Sequence, residues 1–224
     1  METLDRVFQP PFEEIFNKDF KLKGKWCREV FGNDRPLILE LGCGKGEYTL
    51  GLARLHPEKN FMGLDIKGAR IWRGARTAHE EGLLNVAFLR TRIDFVNSFF
   101  ASDEVEEIWI TFPDPQEKKR RQKKRLPGAH FLNRYGEFLR DGGRIHLKTD
   151  NLSLYEDTLA LLAYNELVVE EQSRDVHQEG WNDERDSIQT FYEKRFMTEG
   201  LKINYLCFRL PAGKLIREVP DEAE

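Results

Sequence analysis

The hydrophobic pattern of the chain alternates between short apolar runs and longer segments in which apolar residues recur at helical spacing. The short runs predict β-strands at residues 37–39, 61–64, 86–89, 105–112, 143–149, 167–171 and 202–210. The segments between them predict a helix that ends near residue 55 and further helices at residues 68–81, 129–140, 152–164 and 190–199. Because strands that alternate with helices form parallel sheets covered on both faces, the sequence predicts an α/β fold with a mostly parallel sheet.

Two segments depart from this alternation. Residues 1–35 are mixed in character, and we expect them to form an N-terminal extension that packs on the edge of a domain comprising residues 36–224. Residues 173–187 are polar and poor in aliphatic side chains, which predicts a long loop. Loops of this length in a compact domain are usually functional or mobile, and the sequence leaves open whether this one closes over a substrate.

Composition narrows the classes of protein that fit the pattern. A chain of 224 residues, 40% of them hydrophobic, can bury one substantial core and has the usual size of a single α/β domain. No run approaches the roughly 20 continuous apolar residues of a membrane span, and the first residues lack a basic start followed by an apolar run. We therefore expect a cytoplasmic protein with no membrane partner. The three cysteines and five histidines have no metal-ligand spacing, so neither a metal site nor a disulfide framework is expected.

A glycine-rich loop, Gly42-Cys43-Gly44-Lys45-Gly46, directly follows the first predicted strand. Glycines at this point allow a tight turn and let a ligand approach the backbone at the start of the next helix. The loop has neither the spacing of a dinucleotide-binding loop nor the Gly-Lys-Ser/Thr ending of a nucleoside triphosphate site, which disfavours NAD and ATP. A structural turn and an S-adenosylmethionine site both stay open. Cys43 is interpreted as a small spacer rather than a nucleophile.

Acidic residues follow the next two predicted strands. Asp65 ends the second strand, where a carboxylate can accept both ribose hydroxyls of an adenosine ligand. Asp94 follows the third strand in the same relation to the sheet and could accept the adenine amino group. Either residue could equally cap the following helix, and the sequence alone does not decide between these roles.

The fourth predicted strand ends in Pro113-Asp114-Pro115. Because the two prolines restrict the backbone on both sides, Asp114 has little freedom, as suits a polar group that must meet a planar base in one orientation. A run of cations follows immediately, and it supplies the candidate RNA-binding residues: Lys118, Lys119, Arg120, Arg121, Lys123, Lys124 and Arg125. The formal net charge of -4 does not attract a polyanion, so any nucleic-acid site must be local, as this run is. A solvated charged loop and a nuclear-localisation signal are the alternatives.

Residues 112–126 resemble the signature of the tRNA (guanine-N7)-methyltransferase family, and residues 148–151 and 190–193 are similar to segments with which that family contacts its substrate. The resemblance covers roughly residue 36 onward. It implies a Rossmann-like methyltransferase fold with a seven-stranded sheet, parallel except for its last strand. It also implies S-adenosyl-L-methionine as the cofactor, tRNA as the partner, and methylation of guanine N7, at position 46 in the variable loop of tRNA.

The resemblance further implies roles for individual residues. The implied cofactor-binding residues are Glu40, Gly42, Gly44, Asp65, Asp94 and Asp114, and Asp114 is also the implied catalytic residue. The implied substrate-binding residues are Lys118, Asp150, Thr190, Phe191, Tyr192 and Glu193. One departure is Gln116, which stands where many members carry tryptophan and so lacks a ring that could stack on a base.

Structural roles and other functions stay open beside this interpretation. Thr190 with Glu193 three residues later matches a helix capping box, and Asp150 also suits a helix cap. The alternative functions are a methyltransferase that acts on another RNA or a small molecule, and a non-enzymatic RNA-binding module.

Overall fold

Eight strands form one sheet in the computed structural model, which describes residues 4–220. The strands are β1 (Val7–Phe8), β2 (Leu37–Leu41), β3 (Asn60–Asp65), β4 (Val86–Arg90), β5 (Val105–Thr111), β6 (Leu139–Thr149), β7 (Val169–Ser173) and β8 (Asn204–Leu210). Their order across the sheet is β1-β4-β3-β2-β5-β6-β8-β7. Pairs from β1 through β6 are parallel, and β8 runs antiparallel to both of its neighbours, so the direction predicted for the last strand is confirmed.

The mostly parallel α/β fold is confirmed, but the expected number of seven strands is one too few. The additional strand is β1, whose two residues pair with Phe88 and Leu89 of β4. Two residues are too few to establish a period in the sequence, so this pairing was not visible there. β2 and most of β4 are buried throughout, as expected for central strands that helices cover on both faces.

Seven α-helices accompany the strands among the described residues. They are α1 (Glu47–Leu55), α2 (Gly68–Glu80), α3 (Ala129–Tyr135), α4 (Leu152–Tyr164), α5 (Val176–Glu179), α6 (Glu184–Ser187) and α7 (Phe191–Thr198). Shorter helical turns are a π-helix at Cys27–Phe31 and 3-10 helices at Phe12–Glu14, Ile93–Ser98 and Lys119–Lys124. Helix α4 begins where the Asn151 side chain accepts a hydrogen bond from the backbone N–H of Leu154, at 2.8 Å.

Several predicted elements have shifted ends, for example the strand predicted at residues 167–171, which is Val169–Ser173, and two predictions differ more strongly. The helix predicted at residues 129–140 ends at Tyr135, because Leu139 already pairs with Val105 at the start of β6. Residues 173–187 were predicted to be a long loop, and this was wrong: the segment contains α5 and α6. Val176 is fully buried, and Asp183 forms a capping box at the start of α6, so the segment is held by packing and by a helix cap.

Two hydrophobic cores lie on opposite faces of the sheet. One core is covered by α3, α4 and the N-terminal segment, whose Trp26 is fully buried and donates from Nε1 to the carbonyl of Phe99 at 2.7 Å. The other core is covered by α1 and α2 and includes Trp109 of β5. The division of the chain at residue 35 stays a prediction. No helix among residues 4–220 is long and apolar enough to cross a membrane.

The sheet has a topological switch point between β2 and β5. Strands β3 and β4 continue from one side of β2, whereas β5 and β6 continue from the other side. Loops that leave adjacent strands on either side of such a reversal diverge and open a crevice at the carboxyl ends of the strands. The glycine-rich loop leaves β2 here, and the Pro-Asp-Pro segment leaves β5.

Candidate active site

A cleft of about 420 Å³ lies at this switch point. It is lined by Glu40, Gly42, Cys43, Gly44, Lys45, Glu47, Arg70, Thr111, Phe112, Pro113, Asp114, Pro115, Asp150, Asn151, Thr190, Phe191, Tyr192 and Phe196. Its volume falls in the range of small-molecule sites, which is roughly 300–1,000 Å³. Asp114 and the glycine-rich loop therefore line the same space, although they are about 70 residues apart in the chain.

The glycine-rich loop leaves room for a ligand on one side and packs tightly on the other. Gly44 has φ +56°, and a Cβ built on it would meet nothing within 4 Å, so the space above it is open to the cleft. At Gly46, with φ +72°, a Cβ would lie 2.6 Å from the Phe88 ring, and at Gly74 of α2 it would lie 2.5 Å from the Lys45 carbonyl oxygen. Gly46 and Gly74 thus allow α2 to pack against the back of the loop, whereas Gly44 faces the cleft.

Glu40 lies at the base of the cleft and is almost completely buried. Its carboxylate accepts hydrogen bonds from the backbone N–H of Thr49 at 2.8 Å and from the Thr111 hydroxyl at 2.7 Å, and it also contacts the Thr49 hydroxyl. Burial raises the pKa of Glu40 to about 7, although these hydrogen bonds act in the opposite direction. The Glu40–Thr111 bond ties the strand before the glycine-rich loop to the strand before Asp114.

The two other acidic residues predicted to bind cofactor lie in different settings. Asp65 accepts hydrogen bonds from the backbone N–H of Gly44 at 2.9 Å and of Lys67 at 2.7 Å, so it supports the glycine-rich loop and the entry to α2. Asp65 is not among the residues that line the cleft. Asp94 is not among the residues that line the cleft, and its partly exposed side chain forms an ion pair with Arg92 at 3.3 Å.

The Pro-Asp-Pro segment is bounded by two strained residues. Phe112 and Gln116 both have φ +48°, a region that side chains other than glycine adopt at a cost of about 1–3 kcal/mol. The N–H of Phe112 donates to the Lys148 carbonyl at 2.8 Å, and the N–H of Gln116 donates to Asp114 Oδ1 at 2.9 Å. Asp114 itself is exposed to the cleft. The segment thus holds one carboxylate at a fixed point of the backbone.

The first turn of helix α7 lines the cleft. The Thr190 hydroxyl accepts the backbone N–H of Glu193 at 3.1 Å and so caps the helix, as the sequence predicted. The next two residues present aromatic rings to the cleft: Lys45 Nζ lies 4.6 Å from the ring centre of Phe191, and Arg70 donates to the Tyr192 hydroxyl at 3.2 Å.

Glu193 is not a cleft-lining residue, which is at odds with the substrate contact that the resemblance implied. Its side chain is fully buried and forms an ion pair with the fully buried Lys148 of β6, at 2.7 Å. His177 Nε2 lies 2.8 Å from the same carboxylate oxygen. Since the Glu193 side chain turns into the protein, it does not complete the reciprocal capping box either, and its partners anchor α7 to the sheet. Asp150, in contrast, lines the cleft, and partial burial raises its pKa.

The basic run divides into an exposed part and a buried end. Residues 118–124 are exposed and carry the 3-10 helix beside the Pro-Asp-Pro segment, although Lys118 is not among the residues that line the cleft. Arg125 was predicted to bind RNA phosphates together with them, but only 8% of it is exposed. Its guanidinium donates to the Pro115 carbonyl at 2.9 Å and to Asp157 of α4 at 2.6 Å. The structure therefore separates Arg125 from the exposed cations.

Several cleft residues were not singled out from the sequence. Lys45 and Glu47 lie in and directly after the glycine-rich loop, so their position alone could have marked them. Arg70 lies in the first turn of α2 and Phe196 lies within α7, and no local sequence signal distinguishes them from surface or core residues. Glu47 accepts the backbone N–H of Phe191 at 3.0 Å, which joins the first turn of α1 to that of α7.

Comparison with known proteins adds to this geometry. A family model described as "Putative methyltransferase" matches residues 34–206. The tRNA (guanine-N(7)-)-methyltransferase of Bacteroides thetaiotaomicron is 46% identical over 224 residues, which are 100% of this chain and 88% of that protein. The protein of the same name from Porphyromonas gingivalis is 51% identical over 213 residues, 94% of this chain and 86% of that protein.

Solved structures resemble the fold at much lower identity. The crystal structure of the 16S rRNA methyltransferase KamB superposes with a TM-score of 0.63 at 14% identity, over 82% of this chain and 92% of that one. At this identity the likeness establishes the architecture alone.

Proposed function

The chain belongs to the family of the tRNA (guanine-N(7)-)-methyltransferases, and from this premise we propose that it transfers the methyl group of S-adenosyl-L-methionine to N7 of a guanine in tRNA. The observation that carries the assignment of roles is the cleft that the glycine-rich loop shares with Asp114. The exposed cations of residues 118–124 adjoin the same cleft, where they can bind RNA phosphates by charge attraction and counterion release.

The residues at the base of the cleft fit S-adenosyl-L-methionine. The open space above Gly44 admits a ligand against the backbone, and Glu40 offers a buried carboxylate to the positive charges of the ligand. Asp65 does not line the cleft but supports the loop through Gly44, and a lone pair left on its carboxylate suits a ribose hydroxyl of a ligand that reaches past the loop. When bound, S-adenosyl-L-methionine supplies an electrophilic methyl group on a positively charged sulfur.

The acceptor chemistry places few demands on acid–base groups. Guanine N7 has a free lone pair, so it attacks the methyl group without losing a proton, and no general base is required. Catalysis then depends on alignment and on electrostatic stabilisation of the charge that develops on the ring. The Asp114 carboxylate can accept hydrogen bonds from the N–H edge of the guanine and so favour that charge. Phe191 and Tyr192 offer rings on which the base can stack.

The experiment that tests this function uses radiolabelled S-adenosyl-L-methionine and unmodified tRNA, followed by chain cleavage at 7-methylguanine with borohydride and aniline. The cleavage position also tests the finer proposal that the target is guanine 46 of the variable loop. An unstructured RNA and small-molecule acceptors serve as controls, because activity on these would favour a methyltransferase of different specificity. Binding of tRNA without any methyl transfer would indicate an RNA-binding module.

Substitution of Asp114 tests its catalytic role. We expect Asp114→Ala to keep its affinity for S-adenosyl-L-methionine within a few-fold, while kcat falls by about 10²–10³, the usual effect of removing one electrostatic contact to a transition state. Asp114→Asn is the matched control, since it keeps the shape and one acceptor but not the charge. Near-normal turnover of both variants would remove Asp114 from the mechanism.

The cations of the exposed segment are tested through salt dependence. Neutralising Arg120, Arg121, Lys123 and Lys124 should reduce the slope of log affinity for tRNA against log salt by roughly 0.7–0.9 for each phosphate that is no longer neutralised. An unchanged slope would mean that these residues do not bind phosphates. The proposal includes a cytoplasmic location, where tRNA is available.

A further inference from the structure

We propose that Arg125 is a positioning residue for methyl transfer, because it fixes the loop that carries Asp114 rather than binding tRNA. The inference rests on the function proposed above and concerns the same site. Arg125 is the last of seven cations in the basic run, and it is the buried one among them. Its guanidinium is occupied by the Pro115 carbonyl and by the Asp157 carboxylate, at 2.9 Å and 2.6 Å.

The contact with Pro115 restrains the backbone next to the catalytic carboxylate. Pro115 directly follows Asp114, and Gln116 after it has a positive φ. Strained residues keep their conformation only when surrounding contacts enforce it. On the N-terminal side the Phe112 N–H donates to the Lys148 carbonyl. On the C-terminal side the Gln116 N–H donates to Asp114 itself, and Arg125 adds a contact from outside the loop, to the Pro115 carbonyl.

The contact with Asp157 connects this restraint to a second wall of the cleft. Asp157 lies on α4, which begins directly after Asp150 and Asn151, and both of these residues line the cleft. Arg125 also ends the exposed 3-10 helix, where its backbone N–H donates to the Gln122 carbonyl at 2.9 Å. One buried side chain therefore joins the RNA-facing segment, the Asp114 loop and the helix that follows Asp150.

The planar guanidinium is required for this geometry. Its donors lie in one rigid plane and reach a carbonyl and a carboxylate at the same time, whereas the ammonium of lysine is a single point on a flexible chain. Because alignment limits a reaction that needs no general base, a shift of about 1 Å at Asp114 can lower the rate on the order of 100-fold.

The test compares Arg125→Ala, Arg125→Lys and Asp157→Ala with Lys124→Ala, a substitution of the exposed neighbour. We expect kcat on tRNA to fall about 100-fold in Arg125→Ala and less in Arg125→Lys. Affinity for S-adenosyl-L-methionine should change only slightly, and the salt slope of tRNA binding should equal that of the wild type. In Lys124→Ala the salt slope should fall by about 0.7–0.9 and the KM for tRNA should rise.

A double-mutant cycle on kcat distinguishes a shared linkage from general damage. If Arg125 acts through Asp157, Arg125→Ala/Asp157→Ala should be no slower than Arg125→Ala alone. The proposal is overturned if Arg125→Ala lowers the salt slope and leaves kcat unchanged, or if the two substitutions multiply in their effects on kcat. Should the alanine variant fail to fold, Arg125→Lys and Asp157→Ala carry the same comparison. Failure of the proposed function itself would appear as absence of tRNA methylation by the wild-type protein.

Discussion

Among the predictions made here, breaking the buried ion pair between Lys148 and Glu193 should cause the largest loss of stability, and it tests whether this pair anchors helix α7 beside the cleft. Both side chains are fully buried, and their charged atoms are 2.7 Å apart. Replacing Lys148 with methionine, which has a similar shape, leaves the Glu193 carboxylate in the protein interior with the His177 ring as its remaining hydrogen-bond partner, at 2.8 Å. Removing one member of a buried pair generally costs about 3–5 kcal/mol, because the other charge stays desolvated.

We expect Lys148→Met to lie near the lower end of this range, about 3 kcal/mol, because the His177 ring stays within hydrogen-bonding distance of the Glu193 carboxylate. For a protein of this size, each kcal/mol corresponds to about 2–4 °C in melting temperature, so the midpoint should fall by about 6–12 °C. Replacing both partners, as Lys148→Met/Glu193→Leu, removes both charges from the interior. The double variant should therefore recover most of the stability that the single variant lacks.

The assay is chemical denaturation followed by circular dichroism, with KM for tRNA measured at a temperature where every variant is folded. Arg195→Met is the matched control, since it breaks an exposed ion pair with Glu199 at the end of the same helix, at 2.8 Å, and should leave the stability almost unchanged. Losses that simply add in the double variant, or a single variant as stable as the wild type, would refute the view that this pair anchors α7.

Three further predictions concern stability and pH. Burial raises the pKa of Glu40 to about 7, so ionisation of this residue opposes folding. The free energy of unfolding of the ligand-free protein should therefore fall as pH rises from about 4.5 through 7. Glu40→Gln should make this pH dependence flatter. Burial alone would lower the pKa of His146, but its interactions with Cys207 and Glu107 raise it to about 9. The stability that these interactions contribute is thus fully present below about pH 6.5 and is lost as pH rises through 9. In denaturation experiments, the free energy of unfolding of His146→Gln should therefore decline less steeply with alkaline pH than that of the wild type. Finally, Gly74→Ala should lower the melting temperature and weaken binding of S-adenosyl-L-methionine, because the added methyl would lie 2.5 Å from the Lys45 carbonyl; unchanged values for both would contradict the packing described for the glycine-rich loop.

The parts of the fold that the sequence predicted are those with a local cause. Apolar runs bounded by turn residues identified the central strands, since parallel strands buried on both faces carry a continuous apolar signal. The glycine-rich loop and Asp114 follow two such strands, and their shared place at the strand ends follows from the topology of parallel sheets. The sequence could therefore place these two segments together although they are far apart in the chain.

Two side chains, those of Arg125 and Glu193, lie in the interior where the sequence had placed them at the surface, and the cause is not local. Arg125 is chemically like its neighbours in the basic run, and its burial depends on Asp157, which comes 32 residues later in the chain. Glu193 matches a capping box, but Lys148, 45 residues earlier, draws its side chain into the interior. A sequence pattern gives the propensity of a charged residue for the surface, whereas the position of its partner is set only by the complete fold.

Together with the Glu40–Thr111 contact, these two partnerships indicate how a site whose proposed chemistry needs no general base can still depend on buried polar residues. The Glu40–Thr111 hydrogen bond joins the strand before the glycine-rich loop to the strand before Asp114. The contacts of Arg125 restrain the backbone after Asp114. The Lys148–Glu193 pair fixes helix α7, which carries the two aromatic rings of the cleft. Each contact holds one wall of the cleft. Because N7 needs only to be aligned with the methyl group, errors in wall position act directly on kcat. We therefore expect the residues that determine the rate to include several that never touch the guanine.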